Sequence, residues 1–359
     1  MECSEEMLLS PFSLKQQEKQ KLITKRLITL TQYHYKNCTA YQRIIDAQGL
    51  NIMHLQTLEN IPFLPVSLFK QLDLVSVRQE QLIKTMTSSG TSSQKLSRIY
   101  LDKPTAINQQ KALVKIVSDF TGQARMPLLI IDSPDVMTNR KSFSARGAGI
   151  LGFSLFGSEK TWALKPDMSL DMPEIDSFLK RNCGKTVLIF GFTFIIWQHF
   201  YKQLVQLGKK IDLSLGILIH GGGWKKLNSD AVSAECFSSS LKRLCGIAKH
   251  HDYYGMVEQT GTIFMQCKYG HLHASLFSDV IIRNHIDFSV CRDGDPGIIQ
   301  VLSVIPESYP GHSLLTEDRG IILGIDDCPC GRRGKYFSVL GRVENAELRG
   351  CSDTYAEQF

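Results

Sequence analysis

Six hydroxyl-bearing side chains surround one glycine in the segment 87–95, which reads Thr-Ser-Ser-Gly-Thr-Ser-Ser-Gln-Lys. Hydroxyl groups and the backbone N–H groups of a tight turn can surround phosphate oxygens, and a glycine lets the backbone approach them closely. The spacing differs from the G-x-x-x-x-G-K-[ST] pattern of a Walker A loop. The segment therefore indicates a phosphate-binding loop of another type, with a polar surface loop as the alternative.

Three further motifs carry groups that suit a nucleotide. The segment 254–258 reads Tyr-Gly-Met-Val-Glu, where a ring could stack on a base and a carboxylate could lie near a metal-bound nucleotide. The segment 316–318, Thr-Glu-Asp, offers a carboxylate for vicinal ribose hydroxyls, and Gly341 with Arg342 offers a guanidinium group for phosphate. Each motif also occurs in ordinary turns, so each alone is a weak signal.

A separate set of cysteines and histidines has spacings that suit a metal. Cys267 precedes His273 by six positions, and Cys328 and Cys330 stand before a glycine. Three thiolates and one imidazole are the four ligands that a tetrahedral zinc site needs. We predict a structural zinc on these four residues, with His271 as an alternative to His273 and with reduced, metal-free thiols as the other possibility.

The remaining cysteines follow from the expected compartment. The N-terminus is acidic and lacks the basic and apolar regions of a signal peptide, and no run approaches the roughly 20 apolar residues of a membrane span. We therefore expect a cytoplasmic protein with reduced thiols. Four cysteines in apolar stretches are expected to be small core residues, namely Cys183, Cys236, Cys245 and Cys291.

The composition is that of an ordinary globular protein. The chain has 359 residues, of which 43% are hydrophobic and 21% charged, and this excludes disorder and fibrous repeats. No Pro/Gly/Ser-rich linker divides it, so we expect one large compact body. The net charge of +6 is spread along the chain and does not imply a nucleic-acid partner, whereas an anionic ligand fits it equally well.

The hydrophobic pattern predicts an α/β fold. Apolar residues between Leu22 and Tyr33 recur at helical spacing, which predicts a helix over 14–35. Short apolar runs and amphipathic stretches then alternate, as in βα units around a mostly parallel sheet. The predicted strands are 127–132, 186–191 and 213–220, and the predicted helices are 105–121, 173–183, 194–208 and 229–246. From about residue 260 the strands follow more closely, so the C-terminal third is expected to be β-rich.

Taken together and in this order, the four nucleotide motifs resemble those of the adenylate-forming superfamily. Within it, the sequence is most similar to the acyl-protein synthetases of bacterial luminescence fatty acid reductase complexes, and more weakly to phenylacetate-CoA ligases. The similarity runs from about residue 10 to the end. The matching segments are 61–65 with Phe69 and Lys70, 88–91, 220–226, 309–311, 316–318, 330–332, 341–344 and 350–351.

The resemblance implies activation of a fatty acid by ATP and Mg²⁺ to an acyl-AMP, with release of pyrophosphate. It then implies acyl transfer to a cysteine, for delivery to an acyl reductase or a carrier thiol. Glu258 would hold Mg²⁺, Asp318 would bind the ribose, Arg342 would reach the phosphate or ribose, and Cys351 would accept the acyl group. The implied ATP contacts are Ser88, Ser89, Gly90, Thr91 and Ser92 for phosphate, and Gly221, Gly222, Gly223, Tyr254 and Gly255 for adenine.

The sequence departs from the superfamily at several points. Ser93 stands where a second glycine is usual, and Lys95 comes one position early. Larger members continue into a mobile C-terminal domain that carries a lysine near the reacting carboxylate. We expect this domain to be largely absent here, and Lys225 or Lys226 could replace that lysine. The predicted domains are a helical region at 1–60, the adenylate-forming domain at 61–341, and a hinge remnant with the tail at 342–359.

Two other functions stay open from the sequence. The first is an acyl-CoA or aryl-CoA ligase that uses coenzyme A directly, as the phenylacetate relatives do. The second belongs to another class, a catalytically inactive subunit that binds a nucleotide and serves as a scaffold, because the phosphate loop departs from the usual pattern.

Overall fold

The computed structural model describes residues 9–88, 96–122, 125–137, 145–223 and 232–343. Its contacts divide the chain into two compact units. Unit 1 comprises residues 1–116 and 255–359, and unit 2 comprises residues 117–254. The predicted domain boundaries at 60 and 341 are not tested by this division and stay predictions.

The described residues form helices and strands that follow the predicted order. The helices are α1 (Gln16–Asn37), α2 (Thr39–Ala47), α3 (Lys103–Thr121), α4 (Ala145–Phe153), α5 (Met172–Arg181), α6 (Thr193–Ile195), α7 (Lys202–Gln206) and α8 (Ala234–Cys245). The strands are β1 (Leu64–Pro65), β2 (Leu82–Thr87), β3 (Arg98–Asp102), β4 (Met126–Ile131), β5 (Gly157–Trp162), β6 (Val187–Phe192), β7 (Gly216–Gly221), β8 (Lys249–Tyr254), β9 (Phe264–Gln266), β10 (Leu272–His273), β11 (Ser278–Arg283), β12 (Gly297–Ser303), β13 (Ser313–Ile325) and β14 (Lys335–Arg342).

Unit 2 contains a parallel sheet in the order β8-β7-β6-β4-β5. Strands β4, β6 and β7 are near-continuous apolar runs, as expected for strands covered by helices, whereas β5 and β8 carry polar and charged residues. Leu129, Ile189 and Leu218 are fully buried in one core cluster with Phe178 of α5 and Leu241 of α8. The predicted βα alternation is therefore confirmed in this unit.

Unit 1 is built on antiparallel strands in the order β11-β12-β13-β14-β10-β9, with β1 added in parallel to β13. A separate hairpin pairs β2 with β3. The expectation of a β-rich C-terminal third is confirmed, and with unit 2 the fold class is the predicted mixed α/β arrangement.

Within unit 1, a buried charge cluster anchors the N-terminal helix α1 to strands β11 and β14. The Lys19 ammonium lies 3.7 Å from an Asp279 carboxylate oxygen, and Lys335 lies 3.3 Å from the other. The side-chain amide of Gln16 donates to Asp279 at 2.7 Å. Burial alone would raise the pKa of Asp279, but the two ammonium groups outweigh it and lower that pKa. Asp279 is therefore ionised and compensates two lysines at once.

Two predictions of local structure need correction. The predicted helix 194–208 is interrupted by a π-helical segment, Ile196–Tyr201, which apolar periodicity does not reveal. Of the four cysteines predicted to be in the core, Cys245 is buried, but Cys183 and Cys236 are exposed and Cys291 is half-buried. Cys183 follows the end of α5, and Cys236 lies in the first turn of α8, whose apolar positions further along pack into the core. Apolar neighbours in sequence therefore did not imply burial.

Among the described residues, no helix combines the length and the apolar character that crossing a membrane would require.

We expect Asp279→Asn to lower the free energy of unfolding by about 3–5 kcal/mol, because it leaves the buried Lys19 ammonium without a counter-charge. Urea unfolding of the full chain measures this value. The control is Asp73→Asn, which removes an exposed ion pair with Arg98 and is expected to cost less than about 1 kcal/mol.

The same cluster predicts a pH dependence. Since the folded-state pKa of Asp279 is lowered, its stabilisation is present at neutral pH and is lost as the pH falls through that pKa. The stability of the Asp279→Asn variant should therefore fall less steeply in acid. Equal stability of Asp279→Asn and Asp73→Asn would contradict the role given to the cluster.

Candidate functional site

The candidate phosphate loop begins and ends at a hydrogen-bonded neck in unit 1. Thr87 of β2 pairs with Arg98 of β3. One residue further, the Ser88 N–H donates to the Ser97 carbonyl at 3.2 Å, and the Ser97 N–H donates to the Ser88 hydroxyl at 3.0 Å. The neck fixes both ends of the loop. The other predicted phosphate contacts lie outside the described residues, namely Ser89, Gly90, Thr91 and Ser92.

Glu258 lies in a one-turn 3₁₀ helix, Val257–Gln259, that side chains fasten to the antiparallel sheet. The Tyr309 hydroxyl donates to the Glu258 carbonyl at 2.9 Å. The Gln259 side-chain amide donates to the Val301 carbonyl of β12 at 3.1 Å. The four residues that make these two hydrogen bonds are buried, so the contacts hold Glu258 at a defined position.

A glycine completes the fastening of this helix. The Gln259 amide also donates to the Gly311 carbonyl at 2.9 Å. A Cβ atom at Gly311 would lie 2.8 Å from the Glu258 carbonyl oxygen and would collide with the Tyr309 ring. Residue 311 must therefore lack a side chain if the helix is to approach it, which explains the glycine of the Tyr-Pro-Gly segment.

The Glu258 carboxyl is buried among other charged groups. Its residue is 6% exposed. Burial raises the pKa of Glu258, the Lys70 ammonium opposes that shift, and the Glu317 carboxylate adds to it. Two neighbouring carboxylates favour a bound cation, and their oxygens are the ligands that Mg²⁺ prefers. The Thr260 hydroxyl contacts the Met86 sulfur of β2 at 4.0 Å, so this helix lies beside the loop hairpin.

Asp318 and Arg342 lie opposite each other on β13 and β14. The Arg342 Nε is 3.7 Å from an Asp318 carboxylate oxygen, and Nη2 is 4.0 Å from a Glu317 oxygen. The Arg342 side chain is 78% exposed, so the pair is a weak, solvent-screened one that a ligand can replace. The structure thus places Asp318, predicted to bind the ribose, opposite Arg342, predicted to reach the phosphate or ribose, on adjacent strands.

Thr316 positions Asp318 from within the same strand. Its hydroxyl donates to the Ile299 carbonyl of β12 at 2.8 Å and accepts the Asp318 N–H at 3.2 Å. The threonine of the Thr-Glu-Asp motif is therefore a backbone support, and its hydroxyl is buried rather than available to a ligand.

In unit 2, the predicted adenine-pocket glycines end β7 beside two aromatic rings. Gly221 pairs with Tyr253 of β8, and a Cβ at Gly221 would lie 2.5 Å from the nearest atom of the Tyr253 ring. Gly222 has φ +75°, a left-handed conformation, and a Cβ there would lie 3.0 Å from Phe192. At Gly223, no atom of the described residues lies within 4 Å of the position that a Cβ would take. Small residues at 221 and 222 thus leave room for the rings.

The end of β7 is also fixed by Thr193 at the start of α6. Its hydroxyl lies 3.0 Å from His220 Nδ1 and donates to the Gly221 carbonyl at 3.3 Å. Burial lowers the pKa of His220 to about 3, and His250 and His251 add to the shift, so the ring is neutral. Tyr254 ends β8 and is half-buried. The carboxyl ends of neighbouring parallel strands are where ligands bind in α/β proteins.

The four predicted metal ligands also come together in unit 1. The ligand atoms of Cys267, His273, Cys328 and Cys330 all lie within 4.8 Å of one another.

Gly255 is exposed and directly precedes the segment that carries Glu258. Besides the four residues of the phosphate loop, three further predicted functional residues lie outside the described residues, namely Cys351, Lys225 and Lys226.

Sequence reasoning gave no role to several residues that hold the site. Tyr309, Gly311 and Thr316 belong to matching segments but received no role of their own, and Gln259 and Thr193 carry no sequence signal that marks a support. The side chains of Tyr309, Gln259, Thr316 and Thr193 each donate to a backbone carbonyl 17 or more positions away in sequence.

Comparison with known proteins gives one family description for this chain and the same activity name for two relatives. The family model described as "Acyl-protein synthetase, LuxE" matches residues 4–359. The long-chain-fatty-acid–luciferin-component ligase of Aliivibrio fischeri is 23% identical over 353 residues, covering 93% of this chain and 88% of that protein. The ligase of the same name from Vibrio harveyi is 23% identical over 361 residues, covering 95% and 89%.

A solved structure shows the same fold. An open conformation of 2-hydroxyisobutyryl-CoA ligase, in complex with 2-HIB-AMP and CoA, superposes with a TM-score of 0.72 at 16% identity, covering 96% of this chain and 80% of that one. The same ligase in the postadenylation state gives a TM-score of 0.70 at 17% identity, covering 92% and 69%. The fold is therefore that of the adenylate-forming enzymes.

We expect Tyr309→Phe to destabilise the chain by about 1–3 kcal/mol, because the buried Glu258 carbonyl loses its donor. The free energy of unfolding in urea measures the loss, and hydrogen exchange of the 257–260 amides should accelerate. Tyr269→Phe is the control, since that ring is 46% exposed. Equal stability of the two variants would show that the hydroxyl does not fasten the helix.

Proposed function

Because the chain belongs to the LuxE family of acyl-protein synthetases, we propose that it activates a fatty acid with ATP and transfers the acyl group to a cysteine thiol. The observation that carries the proposal is the series of contacts in unit 1. The contact between Thr260 and Met86 joins the segment of Glu258 to the hairpin that carries the phosphate loop. Glu317 acts electrostatically on the buried Glu258 carboxyl, and Arg342 pairs with both Glu317 and Asp318.

The first step joins two anions, so cations and oriented donors must offset their repulsion. A fatty acid carboxylate oxygen attacks the α-phosphorus of ATP, the bond from that phosphorus to the bridging oxygen breaks, and pyrophosphate leaves. The Ser88 neck presents the phosphate loop. Asp318 accepts hydrogen bonds from the ribose hydroxyls, and the exposed Arg342 guanidinium moves from the carboxylates to a phosphate oxygen.

The chain's carboxylates fit a magnesium ion. Glu258 and Glu317 would hold it, because the burial and mutual repulsion that raise the pKa of Glu258 are relieved by a cation. When bound, Mg²⁺ neutralises charge on the triphosphate. The Tyr309 and Gln259 hydrogen bonds orient Glu258 for this role without touching the substrate.

The second step transfers the acyl group to Cys351, which lies next to Gly350 and two positions after Arg349. The thiol gives its proton to solvent, the thiolate sulfur attacks the acyl carbon, and the C–O bond to AMP breaks. A thiolate suits this role because it accepts an acyl group from a mixed anhydride reversibly. A nearby arginine favours the thiolate.

The names of the relatives indicate the substrate class. The two relatives described above are long-chain-fatty-acid–luciferin-component ligases, so we assign a long-chain fatty acid to this chain as well. The thioester would be delivered to an acyl reductase or to a carrier thiol. The expected location of this reaction is the cytoplasm.

Pyrophosphate exchange into ATP, dependent on fatty acid and Mg²⁺, tests the first step. We expect Glu258→Gln to reduce exchange by about 10²–10³-fold, because one stabilising charge at the triphosphate is lost. Glu80→Gln, at an exposed glutamate of unit 1, should retain full exchange. Nucleotide binding by the wild-type chain without any exchange would instead indicate an inactive scaffold.

Labelling with radioactive fatty acid and ATP tests the second step. The wild-type chain should acquire label that hydroxylamine removes, and Cys351→Ser should acquire none while pyrophosphate exchange continues. Cys183→Ser, which changes an exposed thiol, is the control. Label that persists in Cys351→Ser would exclude the acyl-cysteine. Free acyl-CoA formed on addition of coenzyme A would indicate a CoA ligase.

A further inference from the structure

The geometry points to a structural zinc site in unit 1, formed by Cys267, His273, Cys328 and Cys330. This site is independent of the proposed acyl transfer, because none of the four residues belongs to the nucleotide groups described above. The cluster joins three segments: the end of β9, strand β10 and the connection between β13 and β14.

The distances suit tetrahedral coordination. Zinc–sulfur bonds of about 2.3 Å place two ligand sulfurs about 3.8 Å apart at the tetrahedral angle. The sulfurs of Cys267 and Cys328 are 3.9 Å apart, and the Cys330 sulfur is 3.3 Å from His273 Nε2. All four ligand atoms lie within 4.8 Å of one another. A disulfide would require bonded sulfurs at about 2.05 Å, and the cysteines are free.

The two nearby histidines have different places in this site. His273 is fully buried on β10, and it belongs to the group of four residues whose ligand atoms lie close together. His271 is not in that group, and its Nδ1 lies 3.3 Å from the Cys328 sulfur. Tyr336 of β14 stacks on the His271 ring at 4.7 Å and packs against the His273 ring at 5.7 Å, which restricts both imidazoles. We assign His273 as the ligand and His271 as a donor to the Cys328 thiolate, the kind of outer contact that steadies a metal site.

Charge balance supports three thiolates. Zinc displaces three thiol protons to solvent, so the ion with three thiolates and a neutral imidazole carries one net negative charge. Arg332 lies two positions after Cys330, and its guanidinium places a positive charge near both Cys330 and His273. It also lies 5.6 Å from the Phe12 ring, which packs edge-on against His273 at 6.1 Å. A cation thus stands beside the negative centre.

The site would brace the connection that receives helix α1. Asp326, four positions before Cys330, has φ +64°, and its carboxylate accepts the Gln16 N–H at 2.9 Å and the Gly334 N–H at 2.7 Å. Since all four zinc positions are filled by protein, no position is left for substrate, and the role is structural. Loss of zinc would loosen this connection and, through Asp326, the start of α1.

Metal analysis of the full chain, purified under reducing conditions and without a histidine tag, tests the proposal. We expect one zinc per chain in the wild type and its loss in His273→Ala and Cys328→Ser. His271→Ala and Cys236→Ser should retain the ion, since one changes the outer donor and the other an exposed thiol. Cobalt substitution should give the visible spectrum of a tetrahedral, thiolate-bound ion.

The wild type alone also decides the question, should a variant fail to fold. Titration with a mercurial should release zinc as three thiols react, and a chelator should lower the unfolding temperature. Wild-type protein that binds no zinc after exposure to the ion in reductant would overturn the proposal. Retention of zinc in His273→Ala together with its loss in His271→Ala would overturn the ligand assignment.

Discussion

The exchange of buried hydrogen bonds between Val257–Gln259 and the 309–311 segment is the constraint on which the site in unit 1 depends. A buried backbone carbonyl needs a donor, and Tyr309 supplies it to Glu258. Gln259 pairs with carbonyls of Val301 and Gly311 at the same place. These bonds fix the backbone of a residue whose carboxyl is buried, where its charge is costly unless a cation compensates it.

Charge compensation recurs elsewhere in unit 1. Asp279 is buried as Glu258 is, but Lys19 and Lys335 stand beside it and keep it ionised. The two buried carboxyls differ in the direction of their pKa shift because their neighbours differ. Asp279, with its partners built in, fastens α1, whereas Glu258, with its pKa raised, suits a ligand that brings its own positive charge.

Unit 2 meets a different requirement, which is space. Its strands supply a rigid parallel sheet, and Gly221 and Gly222 at the end of β7 leave room for Tyr253 and Phe192. Thr193 fixes the Gly221 carbonyl, so the glycine turn is held from outside rather than by its own side chains. The glycines leave space because they have no side chains, but they also make the backbone more flexible. The hydrogen bond from the Thr193 hydroxyl restricts that backbone.

Much of this molecule followed from the sequence. The pattern of apolar residues predicted α1 and three strands of unit 2, namely β4, β6 and β7, because burial of one face or of a whole strand leaves a regular pattern. The more polar strands β5 and β8 left no such pattern and were not predicted. Motif chemistry pointed to Asp318 and Arg342, which lie opposite each other on adjacent strands, and to four cysteine and histidine residues whose ligand atoms lie close together.

Only the tertiary structure decided the rest. It showed that Cys236 is exposed, that a π-helical segment interrupts the helix after β6, and that Tyr309 and Gln259 hold Glu258. These features depend on which distant groups become neighbours. Local sequence encodes the period of an element and the chemistry of a side chain, whereas a hydrogen bond to a remote carbonyl exists only once the chain has folded.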